Sequence, residues 1–203
     1  MNTKEALREL KILAKYGKRM RLAAEKWHSD WQTLISIILS ARTRDETTIR
    51  ICKQLFGKYG SIGKLARASL KDIEKIIRPV NFYITKSKNI INLAKIIVNN
   101  YNSQIPHDFS KLIELPGVGR KTANVFLAEK GYGTIGVDTH VGYCSKYLGW
   151  TNSEKQEEVE RDLKELFPEK LWGEINWVLV RFGQTYTSMK EKNRILDNVN
   201  KIK

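Results

Sequence analysis

Residues 110–131 read SKLIELPGVGRKTANVFLAEKG, and the breakers in this stretch decide how the rest of the chain is read. A short helical pattern ends at Leu115, because Pro116 has no N–H with which to continue it. Gly117 and Gly119 bracket a single apolar residue, Val118, and a second helix starts at Arg120 or Lys121. Glycines so spaced let the backbone take positive φ and come close to another backbone. The N–H groups that open the second helix have no partner within it, so they form a site for an anion. Arg120 and Lys121 add positive charge there. The sum is a hairpin that holds sugar–phosphate without reading sequence. Taken alone, the same string also fits a tight turn between two helices.

Working outward, the chain has 203 residues, enough for one domain or two small lobes and for burying roughly 70% of the unfolded surface. Lys and Arg number 36 against 22 Asp and Glu, a net charge of +14 that favours a polyanionic partner. No apolar run approaches the ~20 residues of a membrane span. The longest, Leu34–Leu39 and Ile175–Val180, are interrupted by Ser36 and Asn176. The N-terminus is charged from Lys4 onward and lacks an apolar signal core, so a cytoplasmic, nucleoid-associated protein with no membrane partner is expected. Cys52 and Cys144 lie far apart in helical patterns, which suits a reducing compartment. His28, His107 and His140 form no i,i+4 pair, so no metal site is expected. No GxxxxGK[ST] string occurs.

The remaining segments read as helix after helix. Thr3 caps a segment with Leu7, Leu10, Leu13 and Ala14 on one stripe, which stops at Gly17. Further patterns cover about Met20–Trp27, Trp31–Ala41, a segment capped by Thr43 or Asp45, Leu70–Arg78 and Thr85–Tyr101. After the hairpin come His140–Leu148, Glu154–Phe167 and Leu171–Phe182. The basic segment after Ser188 reads either as a frayed tail or as an ordered helix lying against Leu7–Leu13. Strand-like alternation is almost absent, so the expected fold is all-α.

LPGVGRKTANVFLA followed by VDTH (137–140) resembles the helix-hairpin-helix DNA glycosylases, most closely the endonuclease III family. The likeness extends to LSARTRD (39–45) and PVNFYITKSKNI (79–90), and covers roughly residues 30–184. It implies two helical lobes with an active-site cleft between them. One lobe would be residues 27–130, carrying the helix-hairpin-helix at about 110–130; the other would be residues 1–26 plus 131–203.

The resemblance implies Lys121 as the nucleophile and Asp138 as the carboxylate that stabilises the sugar cation. Only an unprotonated amine can attack, and a lysine of ordinary basicity is neutral in about 4 molecules per 10,000 at pH 7. The dipole of a helix N-terminus contributes at most about 2 kcal/mol, so desolvation and like charge must help such an amine. By position alone Asp138 is also a plain helix N-cap. Gly117, Val118, Gly119 and Arg120 are expected to contact DNA, with Thr139 and His140 beside Asp138. Arg42 and Phe82 match the residues that fill the gap left by an extruded base. From the residues alone, Phe82 also reads as a core aromatic and Arg42 as a solvated loop charge.

The implied function is base-excision repair by a bifunctional glycosylase/AP lyase. It would act as a monomer on double-stranded DNA carrying damaged bases, in particular oxidised pyrimidines, or abasic sites. A non-catalytic helix-hairpin-helix DNA-binding protein and a mismatch-specific glycosylase are the alternatives. The chain departs from the family in two places, at YCSKY (143–147), where the family often carries several arginines, and near its C-terminus. Residues 181–203 (RFGQTYTSMKEKNRILDNVNKIK) contain none of the cysteines that hold the family's iron–sulfur cluster, so no cofactor is expected.

Overall fold

A computed structural model describes residues 2–201. Its helices are α1 (Thr3–Tyr16), α2 (Asp30–Ser40), α3 (Asp45–Lys58), α4 (Ile62–Ala66), α5 (Leu70–Ile77) and α6 (Tyr83–Asn100). They continue with α7 (Phe109–Ile113), α8 (Arg120–Glu129), α9 (Thr139–Tyr147), α10 (Gln156–Leu166), α11 (Trp172–Thr185) and α12 (Met189–Asn200). A 3₁₀ turn, Glu169–Leu171, precedes α11. The described residues contain no strand, and the protein is all-α.

Local chemistry sets most boundaries. Asn2, not Thr3, caps α1: its side chain accepts from Glu5 N–H while Glu5 reaches back to Asn2 N–H. Ser69 caps α5 by accepting from Asp72 N–H at 3.2 Å. Arg44 stands at the N-cap of α3, in place of the expected Thr43 or Asp45. The helix expected over Met20–Trp27 does not form. Arg21 donates its guanidinium to Glu25 O, Glu25 accepts from Leu22 N–H, and Trp27 Nε1 donates to Ala23 O. These side-chain bonds replace a helical ladder, and Lys26 takes φ 61°.

The chain divides into two compact units. One is Arg21–Phe126, in which α6 lies against α2, α4 and α5. Its core holds Leu34, Ile35, Leu55, Ile73, Ile90 and Leu93, each fully buried, with Trp27 and Trp31 edge-on to Phe56 at about 5 Å. The other comprises the described parts of Met1–Met20 and Leu127–Lys203; the division falls inside α8. There α11 lies against α1 and α9, and α12 lies against α1.

The segment after Ser188 is therefore a helix and not a frayed tail. Ile195, Leu196 and Val199 are buried with Ala6, Leu10 and Leu13 in one apolar core. Tyr147 Oη donates to Asp197 at 2.7 Å and Tyr143 Oη to Asn193, which fasten α12 to α9. The bond to Asp197, with burial and the Asp197 charge, pushes the Tyr147 phenol up to about 12.

Candidate functional site

The hairpin joins α7 to α8. Asp108 caps α7, accepting from Lys111 N–H at 2.9 Å, and Val118 N–H donates to Leu115 O at 3.0 Å to close the turn. Gly117 has φ +81°, and a side chain there would come within 3.0–3.1 Å of the Asn89 side chain on α6. Both constraints require glycine. Val118 is buried at 6% exposure, so its side chain anchors the loop while the flanking glycines stay exposed. The loop therefore presents backbone outward. Arg120 and Lys121 form the first turn of α8, both partly buried, with the Arg120 guanidinium over the Phe109 ring at 5.2 Å.

Asp138 is the N-cap of α9. Its Oδ1 accepts from His140 N–H and Val141 N–H, each at 2.9 Å. Buried Ile135 and Val137 hold the preceding segment in the core, and Asn176 Nδ2 from α11 donates to Gly136 O at 2.5 Å. Gly183 on α11 leaves the notch that seats His140, because any Cβ there would overlap the imidazole. Thr139 is exposed at the start of α9 and His140 is partly buried. The capping role expected from position is thus realised, and the carboxylate is fixed by its own helix.

Arg42 and Phe82 are brought together within the Arg21–Phe126 unit, although 40 residues separate them. The Arg42 guanidinium lies 5.1 Å from the centre of the Phe82 ring. Phe82 is 58% exposed, which excludes the core-aromatic reading. Both residues have left-handed backbones, with φ 57° at Arg42 and 59° at Phe82. Outside glycine such a conformation costs about 1–3 kcal/mol and persists only where surrounding structure enforces it. Asn81 supplies part of that enforcement: its side chain donates to Arg42 O, and its N–H donates to Thr43 Oγ1 at 3.0 Å.

Sequence reasoning missed Lys86. It is 7% exposed, and its Nζ donates to Leu39 O at 2.9 Å and Ala41 O at 2.6 Å. Burial lowers its pKa to about 8. The available signal was a lysine on the apolar stripe of α6, in line with Ile90, Leu93 and Ile97. Asn81, Asn89 and Gly183 were missed as well, because each matters through a partner far away in sequence.

The HhH-GPD superfamily of base excision DNA repair proteins matches residues 35–169. The chain is 42% identical to the endonuclease III of Thermotoga maritima over 156 residues, covering 76% of this chain and 73% of that protein. A solved structure of a trapped endonuclease III–DNA covalent intermediate superposes with a TM-score of 0.84 at 30% identity, covering 94% of this chain and 90% of that one. A thermostable thymine-DNA glycosylase shares the fold, with a TM-score of 0.81 at 18% identity, over 93% of this chain and 90% of its own. Hairpin, capped aspartate and overall match agree: the chain is a base-excision DNA repair enzyme and belongs to the endonuclease III family of the HhH-GPD superfamily.

Proposed function

We propose that this enzyme is a bifunctional DNA glycosylase/AP lyase acting, as a monomer, on oxidised pyrimidines and abasic sites in double-stranded DNA. The observation that carries the reading is Lys121 in the first turn of α8, immediately after a backbone-presenting glycine loop. The loop and the α8 N–H groups hold phosphates, and Arg120 adds charge. The Lys121 amine attacks the sugar C1′. The bond from C1′ to the base breaks, and the base leaves with the electron pair and takes up a proton. The sugar ring then opens to an iminium joining Lys121 to C1′. This acidifies C2′–H; loss of that proton expels the 3′ phosphate by β-elimination, and water releases the lysine. Asp138 stabilises the positive charge that develops on the sugar. Covalent capture of the related endonuclease III on DNA supports such an intermediate.

We further infer that no iron–sulfur cluster is present. The family's cluster is held by four thiolates, and this chain has only Cys52 on α3 and Cys144 on α9. Both are buried, and burial pushes the thiols up, that of Cys144 to about 12. Among the described residues no group of three or more His, Cys, Asp or Glu is placed to hold a metal ion. α12 occupies the corresponding stretch of sequence and is held by packing. Purified protein should be colourless and iron-free; one cluster per chain would overturn the inference.

Duplexes carrying a ring-saturated thymine, an abasic site or a G·T mismatch test the function itself. Base release followed by β-elimination is expected on the first and β-elimination on the second. Tight binding without release on any duplex would favour the non-catalytic alternative, and release confined to the mismatch would favour the mismatch glycosylase.

A further inference from the structure

The turn that carries Arg42 has an unusual chemistry. Thr43 N–H donates to Ser40 O at 2.9 Å, closing a β-turn over Ser40–Thr43. Ala41, the C-cap of α2, has φ −53° and ψ 116°, and Arg42 follows at φ 57°. Those angles define a type II turn, whose third residue is ordinarily glycine or asparagine. With arginine there, the ordinary alternative is a type I turn, reached by flipping the Ala41–Arg42 peptide plane and returning Arg42 to negative φ. The flip reverses the direction of the Ala41 carbonyl. That carbonyl accepts from Lys86 Nζ at 2.6 Å, and the same ammonium also ties down Leu39 O at the end of α2.

We propose that Lys86 is a positioning residue for base extrusion: its ammonium holds the Ala41–Arg42 peptide in the type II orientation, from which the Arg42 and Phe82 side chains project together. The inference rests on the reading of Arg42 and Phe82 as the pair that fills the vacated stack. Two further bonds act in the same sense. Asn81 donates its side-chain amide to Arg42 O, the next carbonyl along, and its N–H to Thr43 Oγ1. Lys86 thus fastens the turn from the core side, and Asn81 fastens it from the surface. One turn of α6 separates Phe82 from Lys86, and Lys86 N–H donates to Phe82 O at 3.0 Å. A single helical turn therefore carries both the projecting aromatic ring and the cation that shapes its partner's backbone.

The test uses the full chain and a duplex bearing a tetrahydrofuran abasic analogue opposite 2-aminopurine, whose fluorescence rises when it is unstacked. Lys86→Met keeps the apolar stem and removes both bonds to the carbonyls. It should bind undamaged duplex within twofold of the parent, lose most of the fluorescence response at saturating protein, and release damaged base at least tenfold more slowly. Asn81→Ala lies on the surface and should give a partial loss of the same signal, which decides the matter should Lys86→Met fail to fold. A full response from folded Lys86→Met, or from Asn81→Ala when Lys86→Met is unfolded, would overturn the proposal. Phe82→Ala and Arg42→Ala separate the two levels. Loss of signal in these but not in Lys86→Met refutes the role of Lys86 alone. An unchanged signal in all of them refutes the reading of Arg42 and Phe82.

Discussion

The hairpin at Gly117 and the pair at Arg42 and Phe82 meet one backbone requirement in opposite ways. Each needs positive φ at an exposed loop. At Gly117 the loop presents backbone and Asn89 would crowd any side chain, so glycine takes the conformation without strain. At Arg42 and Phe82 the exposed side chains are what the proposed function uses, glycine would delete them, and bonds from Lys86 and Asn81 hold the strained Arg42 turn. A loop that presents backbone is thus built from permissive residues. A loop that presents side chains in the left-handed region is built from ordinary residues and outside reinforcement.

Substitutions that exchange the two solutions sharpen the contrast. Phe82→Gly removes a mostly exposed ring and relieves its φ of 59°. Base release should fall at least tenfold, while melting shows stability unchanged or raised by up to about 1 kcal/mol. Gly117→Ala imposes strain at φ +81° and crowds Asn89, so chemical denaturation should show a loss of about 1–2 kcal/mol together with weaker binding to undamaged duplex. A stable, fully active Phe82→Gly would break the comparison on one side, and a neutral Gly117→Ala on the other.

The smallest expected effect concerns Lys86 and pH. Its folded pKa of about 8 lies below the ordinary lysine value of 10.5. Between those values the unfolded chain binds the extra proton, so stability increases as pH rises through that window. Below pH 8 the cost of burying the charge is present in full. The stability of the parent relative to Lys86→Met should therefore grow from pH 8 to 10.5, by on the order of 1 kcal/mol once screening by solvent is allowed for. A flat difference across that range would mean that the ammonium is well solvated.

The same contrast governs what could be read from the chain alone. The hairpin was legible because Pro116, Gly117 and Gly119 act on their own backbone. Asp138 was legible for the same reason, since a cap bonds to N–H groups two and three residues on. The Met20–Trp27 segment was misread because Leu22, Ala23 and Ala24 imitate a helical stripe, whereas bonds from Arg21, Glu25 and Trp27 to nearby backbone fix a turn. α4 escaped notice because five residues hold too little periodicity. The pairing of Arg42 with Phe82 came from resemblance. The role of Lys86 depends on carbonyls more than 40 residues away, and neither spacing nor propensity carries that information.

The central claim is that Lys121 forms a covalent bond to the sugar, and borohydride trapping measures it directly. With a duplex carrying an oxidised pyrimidine, the parent chain should form a reduced covalent complex. Lys121→Gln should form none and leave the strand uncut, while binding duplex with near-parental affinity. Trapping of Lys121→Gln at the parental yield would assign the nucleophile to another residue and contradict the account.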